Sequence, residues 1–75
     1  MKSKLKLTAV FEKAAEGGYI AFVEELPGVN SEGETIEEAK ANLEDALELM
    51  LDTQRELMEM ELSSREVIKQ PLQID

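Results

Sequence analysis

The sequence predicts an α+β fold: a three-stranded antiparallel meander, one long helix packed on one of its faces, and a fourth edge strand, in the order β-β-β-α-β. Three observations carry that expectation. Apolar and polar residues alternate early in the chain, at the period of two that a strand with one buried face requires. From Thr35 onward the apolar spacing changes to three and four, as on one face of a helix. Between Gly17 and Ala39, glycines and a proline punctuate the chain at short intervals, so the elements there must be short.

Leu5, Leu7, Ala9 and Phe11 alternate with Lys6, Thr8, Val10 and Glu12, which gives the first strand. Lys13 to Gly18 is polar and ends in Gly-Gly, suited to a hairpin loop. Tyr19 to Glu24 returns as a second strand. Ile20 and Phe22 point one way, while Tyr19, Ala21 and Val23 point the other. With both faces apolar, this strand belongs at the centre of the sheet, and the face away from the helix is expected to be covered too. Leu26-Pro27-Gly28 is expected to end the strand, with Gly28 at the positive φ of a type II turn. Val29 to Ser31 then forms a short third strand before Glu32-Gly33 turns the chain, with Gly33 placed where a Cβ would clash.

Thr35 starts the helix. Its hydroxyl caps the amide of Glu38, and Glu38 is expected to reach back to the amide of Thr35 as a capping box. Ile36, Ala39, Leu43, Ala46, Leu47 and Met50 make one apolar stripe. No glycine or proline interrupts Thr35 to Leu62, which gives a helix of ~25 residues, about 40 Å long. Three short strands need less cover than that. Leu49, Leu51, Met58, Met60 and Leu62 widen the apolar surface late in the helix, and Leu51, Met58, Met60 and Leu62 are the candidate oligomer interface. Ser63-Ser64 ends the helix. Val67 to Ile74 then reads as the last strand, held to an edge by Pro71.

At 75 residues the chain is one domain, residues 1–75, near the lower limit for a self-sufficient core. Oligomerisation to a dimer or larger is expected. Cysteine and histidine are both absent, which removes thiolate chemistry, the commonest general base and the commonest metal ligand. The net charge of −9 is unevenly placed. Met1 to Lys13 carries four lysines against Glu12, whereas Ala14 to Glu66 carries 15 acids against Lys40, Arg55 and Arg65. Such a surface repels nucleic acid and attracts a basic protein. No apolar run is long enough to span a membrane, and a cytoplasmic location is expected.

Tyr19-Ile20-Ala21-Phe22, Leu26-Pro27-Gly28, Ser31, Gly33, Thr35 and Glu37-Glu38-Ala39 together resemble the HicB-like antitoxin family. The motif residues Tyr19, Phe22, Leu26, Pro27, Gly28, Gly33, Thr35, Glu38 and Ala39 fit that pattern as structural positions. The resemblance implies a partial ribonuclease H-like fold. It also implies an antitoxin-type protein that covers the active surface of a small basic messenger-RNA-cleaving toxin of the HicA type. The sequence departs from the family at Glu34, where aspartate is usual, and at Val29, where cysteine is frequent. Only Asp75 follows Ile74, so the DNA-binding module that many members add is not expected here. A member of the same fold with no toxin, serving as a homo-oligomeric scaffold or regulator, is the alternative.

No catalytic set emerges. Glu12, Glu24, Glu25, Glu37, Glu38, Glu44, Asp45 and Glu48 are scattered rather than converging as paired metals require, and the serines have no histidine beside them. The expectation is a protein that is not an enzyme, with no metal and no cofactor. Its candidate partner-binding residues are Glu24, Glu25, Asn30 and Glu32.

Overall fold

The computed structural model describes residues 6–72. Three antiparallel strands, β1 (Ala9–Lys13), β2 (Tyr19–Val23) and β3 (Leu26–Gly33), are followed by one helix, α1 (Ile36–Leu62). The strand order is β1-β2-β3, so β2 is central as its two apolar faces predict. Leu5 lies outside the described residues.

The Gly-Gly hairpin forms as expected. Gly17 and Gly18 have φ of 103° and 75°, and a Cβ on Gly18 would stand 2.7 Å from the Gly33 carbonyl oxygen. Only glycine adopts that backbone without strain at such a close approach.

The second corner differs from the sequence expectation. The chain turns at Glu24-Glu25, and Leu26-Pro27-Gly28 lies inside β3, which is longer than Val29 to Ser31. Gly28 has no positive φ, so there is no type II turn. Val23 pairs with Leu26 and Phe22 with Asn30, so Pro27, Gly28 and Val29 form an irregularity that β2 does not match. Asn30 Nδ2 donates to the Gly28 carbonyl across it at 3.2 Å. Proline is tolerated because β3 is an edge strand. The distortion leaves Val29 buried in the core.

What fixes the true corner is a long-range contact. Glu25 accepts two hydrogen bonds from Thr8, at 2.8 Å from its backbone N–H and 2.8 Å from its hydroxyl. The Glu24 amide donates to the Thr8 carbonyl at 2.9 Å. The lead-in to β1 and the β2–β3 turn are thereby tied together.

The core lies between the sheet and α1. Ala21, Val23, Val29, Ala39 and Leu43 are buried, with Phe11, Tyr19, Ala46, Leu47 and Met50 packed around them. Ile36, the first residue of the apolar stripe, stays exposed. The helix start is tightly docked: Ser31 Oγ donates to the Ala39 carbonyl at 3.0 Å, and Asn42 Nδ2 to the Glu32 carbonyl at 2.9 Å. Thr35 caps as predicted, accepting from the Glu38 amide at 3.1 Å. Glu38 reaches one residue further back than a capping box requires, accepting from the Glu34 amide at 2.6 Å rather than from Thr35. An orphan amide of the entry loop is satisfied either way.

Ser63 caps the end of α1, its hydroxyl donating to the Met60 carbonyl at 2.8 Å. Lys69 then meets Glu59, an exposed ion pair that contributes little to stability. The fourth strand expected over Val67 to Ile74 does not form among the described residues. Val67 to Leu72 has no regular structure, and Ile68 and Leu72 are 90% and 85% exposed. Alternation shows that a segment is able to pair, not that an edge receives it. Ile74 lies outside the described residues.

Candidate functional site

Two uncovered surfaces stand out. The first is the sheet face turned away from α1. Register places Glu12, Ile20 and Glu32 in one row across the three strands, and Val10, Phe22 and Asn30 in the next. Ile20 is 43% exposed between its two carboxylates, and Val10 and Phe22 are half-buried. The expected cover is not supplied among the described residues. An apolar centre with an acidic rim is the anatomy of a protein-binding patch.

The candidate partner-binding residues divide on this geometry. Asn30 and Glu32 lie on that face. Glu24 is exposed at the β2–β3 turn. Glu25, at the same turn, is engaged with Thr8, and the backbone N–H of Thr8 followed by its hydroxyl holds the carboxyl below its ordinary value of 4.5. The sequence offered no sign of that engagement, because Thr8 is 17 residues away.

The second surface is the far half of α1. The helix packs on the core between Ile36 and Met50, about 21 Å, and the remainder runs on for about 18 Å. Leu51 and Met58 are 42% and 46% exposed, and Leu62 is half-buried. These three lie within a narrow stripe at spacings of seven and four. Met60, 74% exposed, is turned by about 200° from Met58 and belongs to the opposite side. The structure therefore brings Leu51, Met58 and Leu62 together and sets Met60 apart.

The motif residues serve the fold. Tyr19 packs on the core, Ala39 is fully buried against Gly33, and Thr35 and Glu38 secure the helix entry. Phe22 belongs to the outer sheet face, and Leu26, Pro27 and Gly28 are exposed at the start of β3. A groove of about 230 Å³ beside β1 is lined by Leu7, Ala9, Val23, Leu43 and Leu47, with Lys40 and Glu44 at its side. Among the described residues, no three acids stand close enough together to hold a metal ion. None of the described helices is long and apolar enough to cross a membrane.

These features define a small α+β domain, a helix-backed antiparallel sheet whose polar groups lie on its surfaces rather than in a pocket. The chain belongs to the UPF0150-like family, whose model matches residues 7–59. It is 47% identical to UPF0150 protein ssl0738 of Synechocystis sp. over 53 residues, 71% of this chain and 74% of that protein. It is 44% identical to UPF0150 protein ssr1765 of the same organism over 46 residues, 61% of this chain and 58% of that protein. No solved structure matches the chain significantly.

Proposed function

We propose that this protein is a HicB-like antitoxin-type binding protein that neutralises a small basic, HicA-like messenger-RNA-cleaving toxin by covering its active surface. The observation that supports this most is the outer sheet face. There Ile20 stands uncovered between Glu12 and Glu32, next to Phe22. A basic toxin surface meets apolar area at the centre and opposite charge at the rim, while the net charge of −9 speeds encounter. Inhibition is by steric and electrostatic occlusion, so it needs no catalytic group on this chain.

Affinity purification from the source organism tests this directly. A small basic protein should co-purify and be released as salt is raised, because the attraction is screened. Its ribonuclease activity should return on release. Recovery of this chain alone at every salt concentration would count against an antitoxin role. It would favour the second reading, a homo-oligomeric scaffold or regulator with no toxin, for which the uncovered Leu51 and Met58 speak.

A further inference from the structure

We infer that a second copy of this chain packs antiparallel against the far half of α1, about a two-fold axis passing between Gln54 and Arg55. The spacing of the stripe is self-complementary about that point. Leu51 stands opposite the partner's Met58 and Leu47 opposite the partner's Leu62, and the two-fold repeats both pairs. An isologous interface requires this correspondence, and an arbitrary scatter of exposed apolar residues does not supply it.

On the helix, Asp52, Glu56 and Glu59 turn away from the line through Leu51 and Met58, while Arg55, Glu48 and Glu61 border it. A shallow depression on this side of α1 is lined by Leu47 and Leu51, with Glu44, Asp45 and Glu48 around them. In the antiparallel pairing the partner's Leu62 enters this depression. Arg65, three residues further on, then comes up to Glu44. Each copy offers the depression and the residues that fill it.

The pairing is independent of any toxin, because it uses the far half of α1 and leaves the outer sheet face open. It is smaller than a standard interface of roughly 20–30 residues a side, so the dimer is concentration-dependent rather than permanent. Held mainly by apolar burial between two acidic copies, it persists at high salt, where their mutual repulsion is screened.

Sedimentation equilibrium on the full chain should show a monomer–dimer equilibrium. Leu51→Glu and Met58→Glu should each raise the dissociation constant at least about tenfold with an unchanged circular dichroism spectrum, since neither residue belongs to the core. The chain has no cysteine, so a single introduced thiol reports geometry. Gln54→Cys should form a disulfide-linked dimer on mild oxidation, while Thr53→Cys, on the far side of the helix, should not. A wild-type monomer across the whole concentration series would overturn the proposal. So would equal linking at both positions, or a dimer indifferent to both glutamate substitutions.

Discussion

Gly33 and Ala39 stand so close that a Cβ on Gly33 would lie 2.5 Å from the Ala39 amide nitrogen. The first turn of α1 rests directly on the end of β3 there. The Ser31 hydroxyl donates to the Ala39 carbonyl beside the same contact. The obstruction is backbone on both sides, so no side-chain rotation relieves it. Gly33→Ala must push the helix off the sheet, at a loss of roughly 2–3 kcal/mol of stability. Urea denaturation should show a lower midpoint with little change in slope, because the surface exposed on unfolding stays about the same.

Gly28 behaves oppositely. Nothing lies within 4 Å of a Cβ built on it, and its φ is not positive. Gly28→Ala should therefore be tolerated, and should stabilise the fold by up to about 0.5–1 kcal/mol through reduced freedom of the unfolded chain. A thermal melt of this variant beside Gly33→Ala separates the two glycines, which look alike in the sequence. Had a type II turn been present at Pro27-Gly28, the substitution would destabilise instead.

Glu25 links stability to pH. Its carboxylate accepts from the Thr8 backbone N–H and hydroxyl, and its pKa is held below the ordinary 4.5. A carboxyl whose folded pKa is depressed contributes fully above its unfolded value. The contribution is lost as pH falls through the lower folded value. The tie between the lead-in to β1 and the β2–β3 turn should thus loosen only below pH 4.5. Thr8→Val removes the hydroxyl but leaves the amide, so the Glu25 pKa should rise part of the way back. Carbon-detected NMR titration of the Glu25 carboxyl measures both effects; an unshifted pKa in the wild type would show that the contact does not persist in solution.

What the sequence made legible was local. Alternation marks β1 but begins it too early, since Leu7 and Thr8 precede the strand; an apolar run gives β2, the Gly-Gly hairpin follows from Gly17 and Gly18, and Thr35 marks the helix start one residue before Ile36. The misplaced features depend on contacts distant in sequence. Pro27-Gly28 has the composition of a turn, yet the corner falls at Glu24-Glu25, because Thr8 holds Glu25 and the Glu24 amide there. Val67 to Leu72 has strand composition, but pairing depends on an available edge, which no pattern within the segment encodes. The same holds for the candidate surfaces. Asn30 and Glu32 alternate onto one face by period alone, whereas the engagement of Glu25 was invisible without the fold.

The row Glu12, Ile20 and Glu32 gives the sharpest test of the outer sheet face. Glu32→Lys reverses one flank of Ile20 without touching the core, since the carboxylate is exposed and the hydrogen bond from Asn42 uses the backbone carbonyl. Folding should be unchanged within about 0.5 kcal/mol. Binding of a basic protein partner should slow, mainly in its association rate, and become less sensitive to salt. Self-association through α1 should not change, because Glu32 lies on the opposite layer from the helix stripe. Surface plasmon resonance over a salt series, with sedimentation equilibrium in parallel, distinguishes the surfaces. A loss of both associations would mean that one face serves both; a loss of self-association alone would place the dimer on the sheet and refute the helix pairing.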